Sequence, residues 1–530
     1  MKQRGILLTF ILLVGIAGWL MCVGLTHGHN WGDDFAAYIM QAKSIAEAAP
    51  RSFVDENRFT VEQSSYPFGP VAYPWGFPLV LAPLYALFGL NPMALKSVGV
   101  ISYLLFLLAL WFALRRIHTG SWFLLLVALF ALNPTLLGFS NEILSDLPFL
   151  FVSTLCIAMI RAVVVEDRRI VSSFSDGVLL GAAITVAFLL RTNGLLLLVT
   201  LGFSQLVSHR QKNTHWERMA VTSEECTPSE RFTGFLGGVS LNALAMQVAP
   251  YVVFFSSVAI LRWSLPDGGT SHVSHLGNIS VGMIKSNLSY YLCLPSDFFS
   301  GAPHPMLIYG ATIPLVIAGA VRRRRSDFPA IIYVALTLLL YVFWPFRQGI
   351  RFLLPILPFY LSFVFSSLQE FCDAATTVEQ RLRQALCYTP LILVLSFFGI
   401  VASLRTTYWN SSSGSEVTQG PFAPTSLEMF SFVKSQTESD GVVVFFKPRL
   451  MRLMTGRQSV MINRAEQLPR WDYLCLYRRR AASDQVSESH AESLSTNGVA
   501  HLMYANADFR VYRLRKKGED FHNKQEEATR

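Results

Sequence analysis

The stretch HNWGDDFAAYIMQAKSI, residues 29–45, sets two adjacent carboxylates, Asp33 and Asp34, directly behind Gly5 to Thr26, an apolar run long enough to cross a bilayer. Charge at a membrane edge is costly without a purpose. Asp is also the ordinary residue for opening a helix: Asp33 as cap and Asp34 in the first turn of a helix over 34–47 would account for both through hydrogen bonding and the helix dipole. The alternative is chemical. A carboxylate one turn beyond a span, behind Trp31 and Gly32, can sit partly desolvated, where its basicity rises and it can serve as a general base.

The rest of the chain supplies the setting. Of 530 residues 52% are hydrophobic and 15% charged, against about 25% charged in an ordinary soluble chain. Apolar runs of about 17 to 25 residues recur between charged or Pro- and Gly-containing segments, the length of a helix that spans hydrocarbon. The net charge of +9 does not point to nucleic acid, because much of the Lys and Arg sits at span ends, as in Arg322 to Arg325, where it orients helices. The seven cysteines form no CxxC pair, and several fall in apolar runs as small hydrophobes.

With Lys2 and Arg4 cytoplasmic, the positive residues close a consistent path of about eleven spans. They are 5 to 26, 93 to 114, 121 to 138, 146 to 164, 175 to 190, 194 to 208, 236 to 262, 305 to 321, 328 to 345, 352 to 368 and 386 to 404. Returning spans meet Arg115 and Arg116, Arg168 and Arg169, His209 to Lys212, and the four arginines from 322. The apolar stretch 77–90 would break this alternation as a twelfth span, so it is assigned to the interface. The fold class expected is a polytopic α-helical membrane protein, residues 1–405, with a first external loop at 27–92. A small external α/β domain follows over 406–515, where GVVVFF, DYLCLY and DFRVYRL read as strands and KPRLMRLMTG as a helix. The tail 516–530 has almost nothing to bury and reads as disordered.

On a helix, Asp34, Tyr38 and Ala42 share one face, and Ala42 lets that face lie close to a neighbour. This acid-acid opening, with Tyr four residues after an Asp and Ala four further on, resembles the first-loop motif of the C-type glycosyltransferases. Among them it is most similar to the protein O-mannosyltransferases and the lipid A aminoarabinose transferases. YPWGFPLVLAPLYALFG (73–89) resembles their Pro-rich juxtamembrane helix, SNEILSDLPF (140–149) their second external turn with its own acid, and RQGIRFLLPILP (347–358) the Arg-Phe-Leu-Leu-Pro start of a late span. The resemblance covers residues 1 to 405 at the level of topology. It implies a GT-C-like fold, a polyprenyl-phosphate-linked sugar donor, a lipid, glycan or protein acceptor, and Asp34 or Asp33 acting on that acceptor. One departure matters: Tyr73-Pro74-Trp75-Gly76 stands where relatives often carry Lys or His before paired prolines.

The external cations Arg191, Lys285, Arg347 and Arg351 are then candidates to bind the donor phosphate, since guanidinium forks match its oxygens; each also fits a span end reaching for lipid headgroups. Arg351 stands out because it directly precedes FLLPILP. Glu142 and Asp146 are candidates to orient the acceptor or hold a divalent cation, Mg²⁺ or Mn²⁺, although Asp146 also fits a helix start. Tyr38, Tyr73, Trp75, Tyr290 and Tyr291 are candidates to line the donor site; the paired tyrosines also fit an interfacial aromatic belt. Lys447-Pro448-Arg449, after the GVVVFF strand, could touch an anionic acceptor or lipid, but fits a solvated strand-to-helix loop better.

A lipid phosphate leaves as an anion, so the departing side wants cations rather than an acid, and one base suffices for the acceptor hydroxyl. That division predicts single displacement with inversion. A transporter of lipid-linked or small polar substrates is the alternative, but it calls for ionisable residues deep in the spans or matching halves, whereas the span interiors are almost free of charge, the acids lie at the external edge and no matching halves are found. The basic start, together with the resemblance to the lipid A transferases, implies a bacterial inner membrane with the active face periplasmic. The sequons at Asn278, Asn287 and Asn410 would also suit the endoplasmic reticulum.

Overall fold

A computed structural model describes residues 2–66, 68–165, 174–222, 241–268, 279–374, 377–412, 419–479 and 484–515. The chain opens with α1 (Lys2–Val23), followed by α2 (Asp34–Ala46), α3 (Pro50–Glu62), α4 (Gly76–Phe88), α5 (Pro92–Leu114), α6 (Gly120–Ala131), α7 (Pro134–Gly138), α8 (Asp146–Val164), α9 (Phe174–Leu190) and α10 (Leu195–Thr222). It continues with α11 (Leu241–Ser264), α12 (Val281–Cys293), α13 (Pro305–Arg322), α14 (Phe328–Val342), α15 (Leu357–Asp373) and α16 (Thr377–Ser412). This is a multi-span membrane protein.

Each of the expected spans falls on a helix, but among the described residues length and apolar composition together qualify six of them, or seven if the pair α6 and α7, bent by 40° across Leu132 and Asn133, is one span. The others are shorter, as in the 15-residue α14, or mixed in composition. Of the expected span 236–262, residues 236–240 lie outside the described residues. So does the tail 516–530. The stretch 77–90 forms α4, at 13 residues too short to cross; Gly76 brings its start so close to α9 that an added Cβ would lie 2.6 Å from the Leu189 carbonyl.

Helix contacts follow small residues. Gly177 and Gly181, four apart on α9, let α11 approach until a Cβ on either would meet the carbonyl of Met246 or Pro250 at 2.7 Å, the small-xxx-small packing of membrane helices. Pro250 lacks an N–H, so the Met246 carbonyl has lost its helical donor and is free to face Gly177. α8 begins at Asp146 and ends near Arg161, charges that suit its dipole at both ends. Arg161 pairs at 3.3 Å with Asp327, which also takes Arg323 at 2.8 Å, far along α8 from Asp146.

Beyond α16 come α17 (Pro424–Gln436), α18 (Pro448–Thr455), α19 (Glu488–Thr496) and strands β1 (Val443–Val444), β2 (Ser459–Val460), β3 (Tyr473–Tyr477), β4 (Ala500–Ala505) and β5 (Phe509–Leu514). They form one mixed sheet in the order β2-β1-β3-β5-β4, parallel at β1 and antiparallel through β5. β2 and β4 carried no strand signal in the sequence analysis. The α/β unit is docked on the first loop: Trp31 inserts among Phe446 at 5.1 Å, Tyr477 at 5.3 Å and Phe509 at 6.2 Å.

The sequon at Asn287 is sealed. Its side chain is 1% exposed, donating to the carbonyls of Val342 and Trp344 and accepting from Arg347. Asn278 and the side chain of Asn410 lie outside the described residues.

Gly181→Leu should force α9 from α11, an overpacking cost of about 1–3 kcal/mol, and lower the melting temperature of the detergent-solubilised protein. Gly15→Leu, where an added Cβ meets nothing within 4 Å, should leave it unchanged. Equal melting of both variants would contradict the close contact.

Candidate active site

At the end of the bundle where α2 and α8 begin, four segments distant in sequence converge on two carboxylates. Asp146 accepts from Arg191 Nη1 at 2.6 Å on one oxygen and from Arg351 Nη2 and Nε at 2.9 and 3.2 Å on the other. Arg351 turns its remaining terminal nitrogen, Nη1, to Asp34 Oδ2 at 3.6 Å. The other Asp34 oxygen accepts from the Tyr73 hydroxyl at 2.6 Å. Burial and the neighbouring Asp34 charge push the Tyr73 hydroxyl well above its ordinary pKa, so it keeps its proton and stays a donor. Tyr38, one turn beyond Asp34, packs on Tyr73 with ring centroids 4.6 Å apart and shares a hydrogen bond with Ser145; burial raises its hydroxyl to about 12. Ala42 is fully buried on the same face.

Asp34 lines a cavity of about 440 Å³ together with Asn30, Glu142 and Arg351 from the membrane edge and Phe446, Lys447 and Pro448 from the α/β unit. Glu142 accepts from Asn30 Nδ2 at 2.6 Å, and burial raises its pKa despite that bond. His29 contacts Glu142 at 3.4 Å but is no ion partner. Burial lowers its pKa to about 4; neutral, it donates from Nδ1 to the Asn30 carbonyl at 2.8 Å and accepts at Nε2 from the Ile143 N–H at 3.0 Å. Lys96, fully buried, ties the loop down by donating to the carbonyls of Thr26 at 2.7 Å and Gly28 at 2.5 Å and to Asn141 at 3.1 Å.

Asp33 has a different partner from its neighbour. It sits at the N-cap of α2, but its side chain makes no cap bond to that helix and instead accepts from the backbone N–H of Arg449 at 3.2 Å, at the start of α18. The Arg449 guanidinium, 3.5 Å from Asp33, is fully buried, bonded to Asn57 and Pro70 and lying over the Phe68 and Tyr73 rings. The expected solvated loop at Lys447-Pro448-Arg449 is therefore an interface: a carboxylate at a helix N-terminus, with a cation behind it, holds the α/β unit on the first loop. Arg452 extends it by pairing with Glu56.

Of the four expected phosphate cations, Arg351 reaches the cavity and Arg191 supports it from behind. Arg347 lies in a separate cluster, donating to Asn287 and Ser286 over the Tyr290 ring; Tyr290 in turn accepts from the Gly349 N–H at 3.2 Å. Tyr291 is buried against Tyr341, and Lys285 is exposed on α12. Trp75 donates to the Pro266 carbonyl at 3.1 Å and is not among the residues lining the cavity. A divalent cation shared by Glu142 and Asp146 does not fit this donor set. Both Asp146 oxygens are taken by guanidinium groups, Glu142 is bonded to Asn30, and among the described residues no three His, Cys, Asp or Glu side chains are grouped to hold a metal.

Lys96, His29, Asn30 and the docking role of Arg449 stand outside every motif read from the sequence. Lys96 alone left a signal, as a lysine inside an apolar run.

The fold is that of the C-type membrane glycosyltransferases. The structure is similar to ArnT from Cupriavidus metallidurans in the apo state, with TM-score 0.55 and 13% identity over 95% of this chain and 97% of that one, and to the same protein bound to undecaprenyl phosphate, with TM-score 0.54, 13% identity and the same coverage. It is also similar to the apo oligosaccharyltransferase of Archaeoglobus fulgidus, with TM-score 0.53 and 11% identity over 97% of this chain and 75% of that one. No protein-family model and no curated protein matches the chain.

Burial raises the Asp33 carboxyl from 3.8 to about 6 against the pull of Arg449. The folded protein therefore holds this proton more tightly than the unfolded chain, so its contribution to stability is greatest below pH 3.8 and is lost as pH rises to about 6. Thermal melts across this range should show wild type losing stability with rising pH relative to Asp33→Asn; parallel curves would contradict a buried, charged Asp33.

Proposed function

We propose that the chain is a glycosyltransferase that moves a sugar from a polyprenyl-phosphate donor to an acceptor hydroxyl by inverting single displacement, with Asp34 as the base. The observation that carries this reading is the position of Asp34 at the cavity: Tyr73 occupies one oxygen, and the other faces Arg351. The oxygen beside Arg351 takes the acceptor proton as the hydroxyl attacks the anomeric carbon. The bond to the lipid phosphate breaks on the opposite side of that carbon, and the electron pair leaves on a phosphate that is already anionic. Arg351 stabilises that anion as it departs, its orientation fixed by Asp146. No general acid is required.

The solved ArnT with undecaprenyl phosphate supports the donor class through fold alone; the sugar is left open. Arg347 and Tyr290 form a second cluster, with Tyr291 packed behind Tyr290 and Lys285 exposed on the same helix, and we assign Arg347 and Lys285 to the donor's lipid phosphate on its way to the cavity. Trp75 braces the juxtamembrane helix beside it. The membrane we assign is the bacterial inner membrane, with the N-terminus cytoplasmic and the cavity and α/β unit periplasmic. The transporter reading gains no support, since the charged network lies at one end of the bundle.

Membranes carrying wild type or Asp34→Asn, given radiolabelled polyprenyl-phosphate sugars, should differ in transfer by at least about a hundredfold, the loss expected on removing a general base. Equal transfer would return Asp34 to a structural role. Tyr73→Phe removes one hydrogen bond to a charged group and should cost roughly tenfold in kcat with little change in donor KM; a loss confined to KM would place Tyr73 in donor binding instead.

A further inference from the structure

We infer that Arg449, supplied by the α/β unit, is a positioning residue for the base: its buried guanidinium acts through Tyr73 to fix one oxygen of Asp34, leaving the other to take the acceptor proton. This deepens the transferase reading and rests on it.

Tyr73 donates to Asp34 Oδ1 at 2.6 Å, so whatever holds Tyr73 holds the base. Its backbone is set by Gln41, fully buried on α2, which accepts from the Tyr73 N–H and donates to the Tyr73 carbonyl, both at 3.0 Å. Its ring is set by Arg449. The guanidinium carbon lies 5.6 Å from the Tyr73 ring centroid and 4.9 Å from that of Phe68. Nη2 donates to the Pro70 carbonyl at 2.5 Å and Nε to Asn57 at 3.3 Å, and Asn57 in turn donates to the Val71 carbonyl. The turn that delivers Tyr73 is therefore tied at two successive carbonyls. At Gly69 an added Cβ would meet Arg449 Nη1 at 3.1 Å and the Tyr73 hydroxyl at 3.3 Å. Guanidinium and hydroxyl thus stand together above a residue with no side chain to separate them.

Docking alone does not call for this arrangement. A guanidinium with no exposed surface is expensive to bury, and other contacts already seat the unit. The Arg449 backbone N–H binds Asp33 at 3.2 Å, Trp31 inserts among the aromatic side chains of the unit, and the Met461 backbone bonds Ser65 N–H at 2.8 Å and Ser64 Oγ at 2.9 Å. Burial works against the Arg449 cation, but Tyr73, Asp33 and Asp34 outweigh it and raise its pKa above the ordinary value. A positive charge therefore persists beside the Tyr73 hydroxyl. It strengthens that hydroxyl as a donor to the carboxylate and holds the ring where the bond to Asp34 is made. Without it the turn at 69–73 relaxes, and Asp34 loses the bond that keeps its second oxygen at the cavity.

The test has two arms, both on the full-length protein in nanodiscs and both in an Asp33→Asn background, so that removing the arginine leaves no unpaired buried carboxylate. The first needs no turnover. With meta-fluorotyrosine in place of Tyr73, the fluorine NMR resonance should move on Arg449→Gln, as it does on Asp34→Asn; a resonance indifferent to Arg449→Gln overturns the proposal. The second arm is a double-variant cycle in transfer. Arg449→Gln should lower kcat about tenfold with donor KM little changed, but should add no more than about a twofold loss once Tyr73→Phe is present, because its effect passes through the hydroxyl. Losses that multiply to about a hundredfold in the double variant overturn the positioning role and leave Arg449 a docking residue. Transfer by Asp34→Asn equal to wild type would end the transferase reading by itself, while the fluorine arm still reports whether Arg449 governs Tyr73.

Discussion

The site depends on one guanidinium shared between two acids. Asp34 and Asp146 come from the first loop and the start of α8, and Arg351 bridges them at 3.6 and 2.9 Å. Without a cation between them, two partly buried carboxylates at this separation would repel, and one would take up a proton. Arg191 neutralises the second acid from behind, at 2.6 Å. Because Asp146 is only 3% exposed, losing either arginine would leave buried charge uncompensated, which is far costlier than losing a surface pair. The same pairing holds together the ends of α2, α8, α9 and α15. It also presents Asp34 and the outer edge of Arg351 to a cavity while the rest of the network stays closed.

The second constraint is the division of labour between adjacent aspartates. Successive residues at a helix start diverge by roughly 100°, so Asp33 and Asp34 face different elements. Asp33 meets the N-terminus of α18, and Asp34 meets Tyr73 and Arg351. One dipeptide thus docks the α/β unit and places a carboxylate in the cavity. Trp31, just upstream, seats among the aromatic side chains of the unit, so the first loop and the sheet are parts of one wall. Positions that look idle in a linear reading acquire tasks here. Gly420, with φ +91°, lies so close to the first loop that a Cβ would reach the His29 carbonyl at 2.2 Å, and Lys96 secures the same loop from inside the bundle.

Much of the architecture was legible because it follows from local hydropathy. Apolar length marks helices that can span, basic residues at their ends mark orientation, and both survive whatever the tertiary packing does. The same alternation kept 77–90 from being counted as a span, and α4 is too short to cross. The short strands β2 and β4 were not legible: Ser459–Val460 is two residues long, and β4 shows no alternation of buried and exposed positions, so each is specified by its neighbours in the sheet.

For the site, the sequence by itself determined which residue types stand at one end of the bundle: the acid pair, the arginine before FLLPILP, and the acid opening α8. It did not determine their pairing. A chain read in one dimension treats Arg191, Arg347 and Arg351 alike as external cations, but only the packing of α9 and of the turn before α15 against α8 brings two of them onto Asp146 and leaves Arg347 with Asn287. The burial of Arg449 is likewise a tertiary decision: its partner stands 416 residues away, and no local pattern encodes a contact between elements so far apart in the chain. Electrostatic energy falls with distance and rises with burial, so the chemistry of these charges was decided where the fold set both.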